Sequence, residues 1–533
     1  MKKKTTAGSS GAPHRREMAT DRPESRNGVL RLVFFSVAVL LEAAVTLTLM
    51  LIGISGVYAE LINVGLRLLA VFLVLGIYSS NKTSALKTPW IILILVLPVI
   101  GISLYLFTGL SGTTKKIRKR FEALDEKLSG YLSGDPAAAE GLAAEHPAFR
   151  CISDYMERQK GYPVCRGTSV TYYADAADGF EAQKEALLSA EKFIFLEYFA
   201  VEDASSWAEI EEILLDKVKR GVDVRLFYDD VGSIAFVDSD FAARLNSKGI
   251  KCRVFNPIMP FFNLFLNNRD HRKITVVDGR IGFTGGYNLA DRYFNIGFSA
   301  GHWKDTGVRI EGDAVTAMTA AFLEMWNAAE SGEGDPDPGV FLKNSRSVAG
   351  AEGYVIFYTD DPTDKKTIGE DIYLNIISKA DRYVYFMTPY LIITDEMSRA
   401  LGLAAMRGVD VRIITPGIPD KKLVYNLTRS YYHRLISDGV KIFEYTPGFC
   451  HAKICVADGE IATCGTVNLD FRSLYHHFED GCVMIGCSAV ADVEKDFLET
   501  QEKCRDVTEK FLSGRSLPLR FGQLFLRLFA PLL

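Results

Sequence analysis

Two stretches of this 533-residue chain carry one set of reactive side chains at one spacing. The first, HRKITVVDGRIGFTGGYN, places His271, Lys273, Asp278, Gly285, Gly286 and Asn288 in order; the second, HAKICVADGEIATCGTVN, places His451, Lys453, Asp458, Gly465, Thr466 and Asn468. Each set holds an imidazole that exchanges protons near neutral pH, an ammonium group two residues on, and an amide able to donate hydrogen bonds. On a strand, residues i and i+2 project to the same face, so the His and Lys of each motif point together while the apolar run behind them anchors the strand. A single His-x-Lys pair describes a solvated strand edge equally well. Two pairs with identical Asp, Gly and Asn spacing do not.

That set suits a phosphodiester. Two histidines allow one to attack phosphorus and form a phosphohistidine while the other protonates the departing alcohol and later deprotonates its replacement. Lys273 and Lys453, with Asn288 and Asn468, would bind the non-bridging oxygens where charge builds, and on this reading no metal or other cofactor is required. Asp278 and Asp458 complete the motifs but follow their strands, which favours fixing local geometry over transferring protons. Glu197, in the strand-like run FLEYF, and Asp470, just after Asn468, are candidates for orienting the histidines by holding the second ring nitrogen, or equally for a purely structural place. Cys450, Cys455 and Cys464 near His451 offer zinc-type ligands, yet Cys455 and Cys464 sit in apolar strand-like runs where cysteine packs as a small hydrophobe. Nine cysteines at irregular positions give no disulfide framework, and a thiol this close to a reactive histidine favours a reducing compartment.

A repeat brings the two motifs together. RGVDVR occurs at 220–225 and at 407–412; SAEKFIFLEYF (189–199) parallels KADRYVYFMTPY (379–390), and LNSKGIKCRVFNP (245–257) parallels LISDGVKIFEYTP (435–447). Short β-branched and aromatic runs alternate with helical stretches throughout, the pattern of an α/β domain. The expected architecture is α/β: duplicated domains over 166–348 and 349–533, related by a pseudo-two-fold axis across which His271 and His451 meet.

Ahead of the repeats lie a basic, disordered arm (1–28), a membrane region (29–110) and a charged connector (111–165). The membrane region contains the apolar stretches Val29–Ile54, Leu61–Tyr78 and Trp90–Phe107, each near the roughly 17 to 25 residues of a transmembrane helix. Topology is contested within the sequence. The basic arm puts the amino terminus in the cytosol, and three crossings would then put the body outside, but Lys115, Lys116, Arg118, Lys119 and Arg120 after the third stretch also ask to be inside. Glu42 and Arg67 interrupt the first two stretches, which allows a paired or re-entrant hairpin, and the reading adopted is a cytosolic body.

Charge separates the regions. Residues 1–120 hold 16 Lys+Arg against 5 Asp+Glu, a net of +11, leaving 45 against 61, a net of −16, for the rest. An acidic body argues against nucleic acid as a partner, while basic flanks suit anionic phospholipid at a bilayer surface. The stretch Ile258–Leu266 is a candidate acyl-chain entrance or a buried loop, and the tail RFGQLFLRLFAPLL an interfacial amphipathic segment or a packed terminal helix.

The paired motifs resemble those of the phospholipase D superfamily, and the wider sequence resembles bacterial cardiolipin synthases. The likeness runs through TPWIILILVLPVIGISLYLFTG (88–109), FLEYF (195–199), NNRDHRKITVVDGRIGFTGGYNLAD (267–291), HWKDTGVRIEGDAV (302–315), MTPYLIITDE (387–396), RSYYHRLISDGVKIFEYTPGFCHAK (429–453), CGTVNLDFRS (464–473) and LFLRLFAPLL (524–533). The resemblance implies a multi-pass enzyme of the bacterial plasma membrane. It implies that two phosphatidylglycerol molecules give cardiolipin and glycerol through a phosphatidyl-histidine, with His271 as nucleophile and His451 as general acid and base. Trp303 and Asp305 belong to the resemblance without a role that chemistry assigns. Cys450 and Cys464 depart from the apolar residues expected there. The motifs alone also admit a hydrolytic phospholipase D, a transferase using another alcohol, a nuclease, or an inactive lipid-binding scaffold.

Overall fold

The computed structural model describes residues 57–512 apart from 82, 110–111, 133, 258–267, 298–300, 330–336 and 364–365, together with 522, 526–528 and 530. The basic arm, the first apolar stretch, Ile258–Leu266 and most of the carboxyl-terminal tail lie outside the described residues.

The chain enters as four helices, α1 (Val57–Ser79), α2 (Ser84–Val96), α3 (Pro98–Gly109) and α4 (Gly112–Ser129). Among the described residues no helix is long and apolar enough to cross a membrane. The third apolar stretch, expected as one span, is broken. Pro98 has no N–H to give and disfavours helical backbone in the residue before it, and Leu97 accordingly leaves the helix at φ −129° and ψ 73°. Two legs of 13 and 12 residues result, each about 18 to 20 Å long. They fold back on each other, with the Trp90 and Tyr105 rings 5.4 Å apart. Gly101 permits the close approach, since a Cβ there would lie 2.6 Å from the Ile94 Cα. Ala70, Ile77, Ile94 and Ile102 form the small core of α1–α3, while Phe72, Leu75 and Val96 point outward.

The body is built on two sheets. The first half contributes β1 (Thr168–Tyr173), β2 (Phe193–Tyr198), β3 (Asp223–Asp229), β4 (Lys251–Phe255), β5 (Arg269–Asp270), β6 (Lys273–Val277), β7 (Ile281–Gly285), β8 (His302–Lys304) and β9 (Gly307–Gly312). The second contributes β10 (Tyr354–Asp360), β11 (Tyr383–Met387), β12 (Leu391–Ile392), β13 (Asp410–Pro416), β14 (Lys441–Tyr445), β15 (Gly448–Cys450), β16 (Ile454–Ala457), β17 (Ile461–Gly465), β18 (Leu469–Asp470), β19 (His477–Ile485) and β20 (Cys504–Asp506). One sheet runs β1-β9-β7-β6-β2-β3-β4 and the other β10-β19-β17-β16-β11-β13-β14, with β20 added at its edge. The two orders correspond strand for strand, and the α/β duplication expected from the repeat is present.

Alternation along the strands sorts their side chains into layers. In β2, Ile194, Leu196 and Tyr198 pack with Trp207, Ile210 and Leu214 of an outer helix. Phe193 and Phe195 face the other way, into a core shared between the halves that includes Phe322, Val355, Tyr385, Val456 and Met484. The lobes are therefore joined by apolar packing, and α4 adds to it: Phe121 is buried and stacks on Phe478 at 5.1 Å.

Candidate active site

Each motif histidine sits where its chain segment leaves its own lobe to pair with the other. β5, just before His271, lies parallel to β19, with Arg269 opposite His477 and Asp270 opposite Phe478. β15, just before His451, lies parallel to β8, with Phe449 opposite Trp303 and Cys450 opposite Lys304. The His271 N–H donates to the Phe478 carbonyl at 2.9 Å and the His451 N–H to the Lys304 carbonyl at 2.7 Å. These pairings bring a carboxylate from the opposite lobe onto each ring. Glu479 lies 2.8 and 2.9 Å from His271 Nδ1, and Asp305 Oδ2 lies 2.6 Å from His451 Nδ1. Holding Nδ1 selects the tautomer and leaves Nε2 of each ring for chemistry.

All four groups are buried. Burial pushes the imidazoles down, His271 to about 3 and His451 to about 4, against the upward pull of their carboxylates. Both rings are neutral at neutral pH, the form a nucleophile needs. Lys273 and Lys453 are also buried, which brings each ammonium down to about 8. Lys273 Nζ donates to the His271 carbonyl at 2.7 Å, and Lys453 Nζ lies 2.9 Å from His451 Nδ1. Lys273 lowers the proton affinity of both His451 and Lys453, which marks one electrostatic unit spanning the two motifs.

The remaining motif residues lie elsewhere or do something else. Asp278 and Asp458 open Asp-Gly turns, with φ of 54° and 55°. Asp278 accepts backbone N–H bonds from Glu191, Lys192 and Phe193, and Asp458 from Asp381, Arg382 and Tyr383. Six residues lie between each aspartate and its histidine, and both carboxylates are taken up by backbone N–H groups at the far end of the strand, as turn clamps and not as groups that meet the reacting atoms. Asn288 accepts from the Ala200 N–H and donates to the Tyr293 hydroxyl at 2.7 Å, holding that ring beside His451. Asn468 keeps a buried Oδ1 without a hydrogen-bond partner.

Neither expected orienting residue holds a histidine. Glu197 is buried against Asp270, and burial and that second carboxyl push it well above the usual carboxylate range. Asp470 accepts from the Ser473 N–H as the cap of a short helix, Phe471–Tyr475. The orienting carboxylates come instead from the opposite lobe, where proximity in sequence gives no hint of them. The sequence offers Asp305 only as part of the resemblance, and Glu479 and His477 lie outside both motifs. The signal that points to them is the correspondence of HWKD (302–305) with HHFE (476–479).

Cys450, Cys455 and Cys464 are buried free thiols whose pKa burial raises, to about 12 for Cys450 and Cys464, which suits packing and not metal ligation. Among the described residues, the grouping with metal-ligand spacing is His271, His477 and Glu479, whose ligand atoms lie within 4.8 Å of one another. Two of these are already hydrogen-bonded together.

Residues 184–326 and 373–500, together about half of the chain, match the family described as "Cardiolipin synthase, PLD-like domain". The chain belongs to this family. Cardiolipin synthases of Halalkalibacterium halodurans and Alkalihalophilus pseudofirmus are 32% and 30% identical to it over 90% and 89% of this chain and 94% of each of theirs. An uncharacterized protein of Streptococcus mutans is 41% identical over 86% of this chain and 99% of its own. Residues 66–109, the α1–α3 region, match "Phospholipase_D-nuclease N-terminal". The crystal structure of a Haemophilus influenzae phosphatidylserine synthase shares the fold, with a TM-score of 0.54 at 13% identity over 68% of this chain and 95% of that one. As a member of the cardiolipin synthase family the chain is a phosphatidyltransferase of the phospholipase D type, and such enzymes are associated with bacterial membranes.

Two outcomes follow from this geometry. Glu479→Gln and Asp305→Asn keep side-chain volume but lose the charge that fixes each imidazole, so each lowers kcat by about 10²- to 10⁴-fold. Steady-state transfer assays read this, and wild-type rates in either variant would contradict it. The second concerns pH. Lys273 and Lys453 lose their protons as pH rises through about 8, so kcat/KM, which reports the free enzyme, declines above that value. A profile flat to about pH 10, the ordinary lysine range, would contradict it.

Proposed function

We propose that the protein makes cardiolipin and glycerol from two phosphatidylglycerol molecules. The observation that carries this is the pair of neutral, buried imidazoles, each oriented by a carboxylate of the opposite lobe and each with the buried lysine of its own motif against it. His271 Nε2 attacks the phosphorus of the first phosphatidylglycerol, the bond to its glycerol headgroup breaks, and His451 gives the leaving oxygen a proton. The negative charge of the entering phosphodiester offsets burial and raises the proton affinity of His451 for this step. The headgroup hydroxyl of the second phosphatidylglycerol then returns a proton to His451 and attacks phosphorus, and the nitrogen–phosphorus bond breaks. Lys273 and Lys453 neutralise the non-bridging oxygens throughout. Burial of these side chains supports transfer to an alcohol over hydrolysis, because water is kept from the covalent intermediate. Purified protein in detergent should convert phosphatidylglycerol to cardiolipin and glycerol without nucleotide or added divalent cation, and His271→Ala and His451→Ala should each abolish turnover. Phosphatidic acid as the sole product would make the protein a hydrolase.

The body is proposed to lie on the cytosolic face of a bacterial plasma membrane. The α2–α3 hairpin supports this reading, because its legs are short of the roughly 30 Å hydrocarbon core and return to the side they entered. With Val29–Ile54 and Leu61–Tyr78 as a paired or re-entrant hairpin, the basic arm and the cluster Lys115–Arg120 fall on one side, as the positive-inside rule asks. A reporter active only outside the membrane, fused after residue 121, tests it: no activity is expected, and activity there would place the body outside.

A further inference from the structure

One histidine of the site makes no hydrogen bond. His477 is 8% exposed, and neither ring nitrogen has a partner within hydrogen-bond distance; Glu479 Oε1 stands 3.7 Å from Nδ1, and Nε2 has no counterpart among the described residues. A buried polar group left unpaired costs stability, so its retention calls for something to pair with.

The pseudo-symmetry sharpens the point. Trp303 and His477 occupy matching places, each two residues before the carboxylate that crosses to the other lobe's histidine. Each packs its ring on that histidine, Trp303 on His451 at 5.3 Å and His477 on His271 at 5.4 Å, with similar tilts of 47° and 44°. Around His451 the wall is completed by Tyr293 and Phe449, and around His271 by Phe199. If packing were the whole requirement, an aromatic ring would serve at both places. An imidazole stands instead beside His271, its Nδ1 towards Glu479 and its Nε2 without a hydrogen-bond partner. The ligand proposed for it is an anion: Lys273, whose Nζ donates to the His271 carbonyl, brings an ammonium group to the residue whose ring His477 packs on.

We propose that His477 is a third substrate-binding histidine, donating a hydrogen bond to a non-bridging oxygen of the phosphoryl group carried on His271. This rests on the phosphoryl-transfer reading above but not on which lipid supplies the group. His477 then makes the two sides of the site chemically unequal.

The test uses the full chain in detergent. His477→Phe and His477→Leu keep an apolar side chain and remove both nitrogens, while His477→Asn keeps a donor. Calorimetry with tungstate, a tetrahedral oxyanion, and kcat/KM for phosphatidylglycerol are read beside thermal melts. Expected are a tungstate affinity weakened about tenfold or more and a kcat/KM lowered about ten- to a hundredfold in the Phe and Leu variants. The Asn variant should stay within about threefold of wild type. Wild-type tungstate affinity and turnover in His477→Phe or His477→Leu would overturn the proposal, as would equal impairment of His477→Asn. Tungstate binding indifferent to all three changes, with zinc(II) binding lost instead, would overturn it in favour of a cation site at His271, His477 and Glu479. Because the tungstate contrast needs no lipid, it persists if phosphatidylglycerol proves to be the wrong substrate, and the two failures are told apart.

Discussion

Each half of this molecule holds the reactive histidine of the other. The bonds from Glu479 to His271 and from Asp305 to His451 are both exchanged across the pseudo-dyad, so neither lobe by itself contains an oriented imidazole. Much of the surrounding structure keeps that exchange in register. Arg269, in the strand that leads to His271, is tied back into its own lobe by a buried ion pair with Asp229 at 2.9 Å. Lys304, next to Asp305, is held by Asp496 of the second lobe at 2.8 Å. Buried ion pairs of this kind add little net stability, but losing one partner strands a charge in a low dielectric. They therefore specify the crossing more than they strengthen it, and the shared apolar core between the sheets supplies the attraction.

Burial also sets the chemistry. Removing water from the site lowers the proton affinity of both imidazoles and both ammonium groups, and it strengthens each remaining electrostatic contact. A phosphodiester entering such a space meets donors and charges that are already placed and need no reorganisation. The second repeat differs from the first where this placement demands it. At Gly286 a Cβ would come within 1.9 Å of Asp305 Oδ1, so the short carboxylate needs a glycine beside it. The matching Thr466 instead donates its hydroxyl to the longer Glu479.

The sequence disclosed what repeats and little of what crosses. Two copies of one strand pattern led to two sheets of matching order, because local alternation and helix periodicity determine elements wherever the chain is packed on both sides. The histidines and lysines were legible for the same reason. Glu479 and Asp305 were not assigned their roles, since they lie 208 and 146 residues from the rings they hold. Glu197 and Asp470 lie in the same lobe as the histidine of their own motif, whereas the pseudo-dyad takes each orienting carboxylate from the other lobe. The helix break at Pro98 is a different case. Its signal is a proline midway through an apolar run, which hydrophobic length alone does not register.

A duplicated site faces a difficulty that a single one does not: a symmetric pair of histidines gives no reason for one to attack phosphorus and the other to handle protons. The symmetry must be broken by side chains near the rings, and three places do it, Gly286 against Thr466, Asp305 against Glu479, and Trp303 against His477. Two of these three, Glu479 and His477, lie on β19. So does Phe478 between them, and its ring stacks on Phe121 of α4, the helix that follows the apolar hairpin. The half of the site around His271 is thus the half that α4, in the connector, touches. Since α4 occurs once in the chain and the lobes twice, its docking is itself asymmetric, and it falls where the two imidazoles acquire different surroundings.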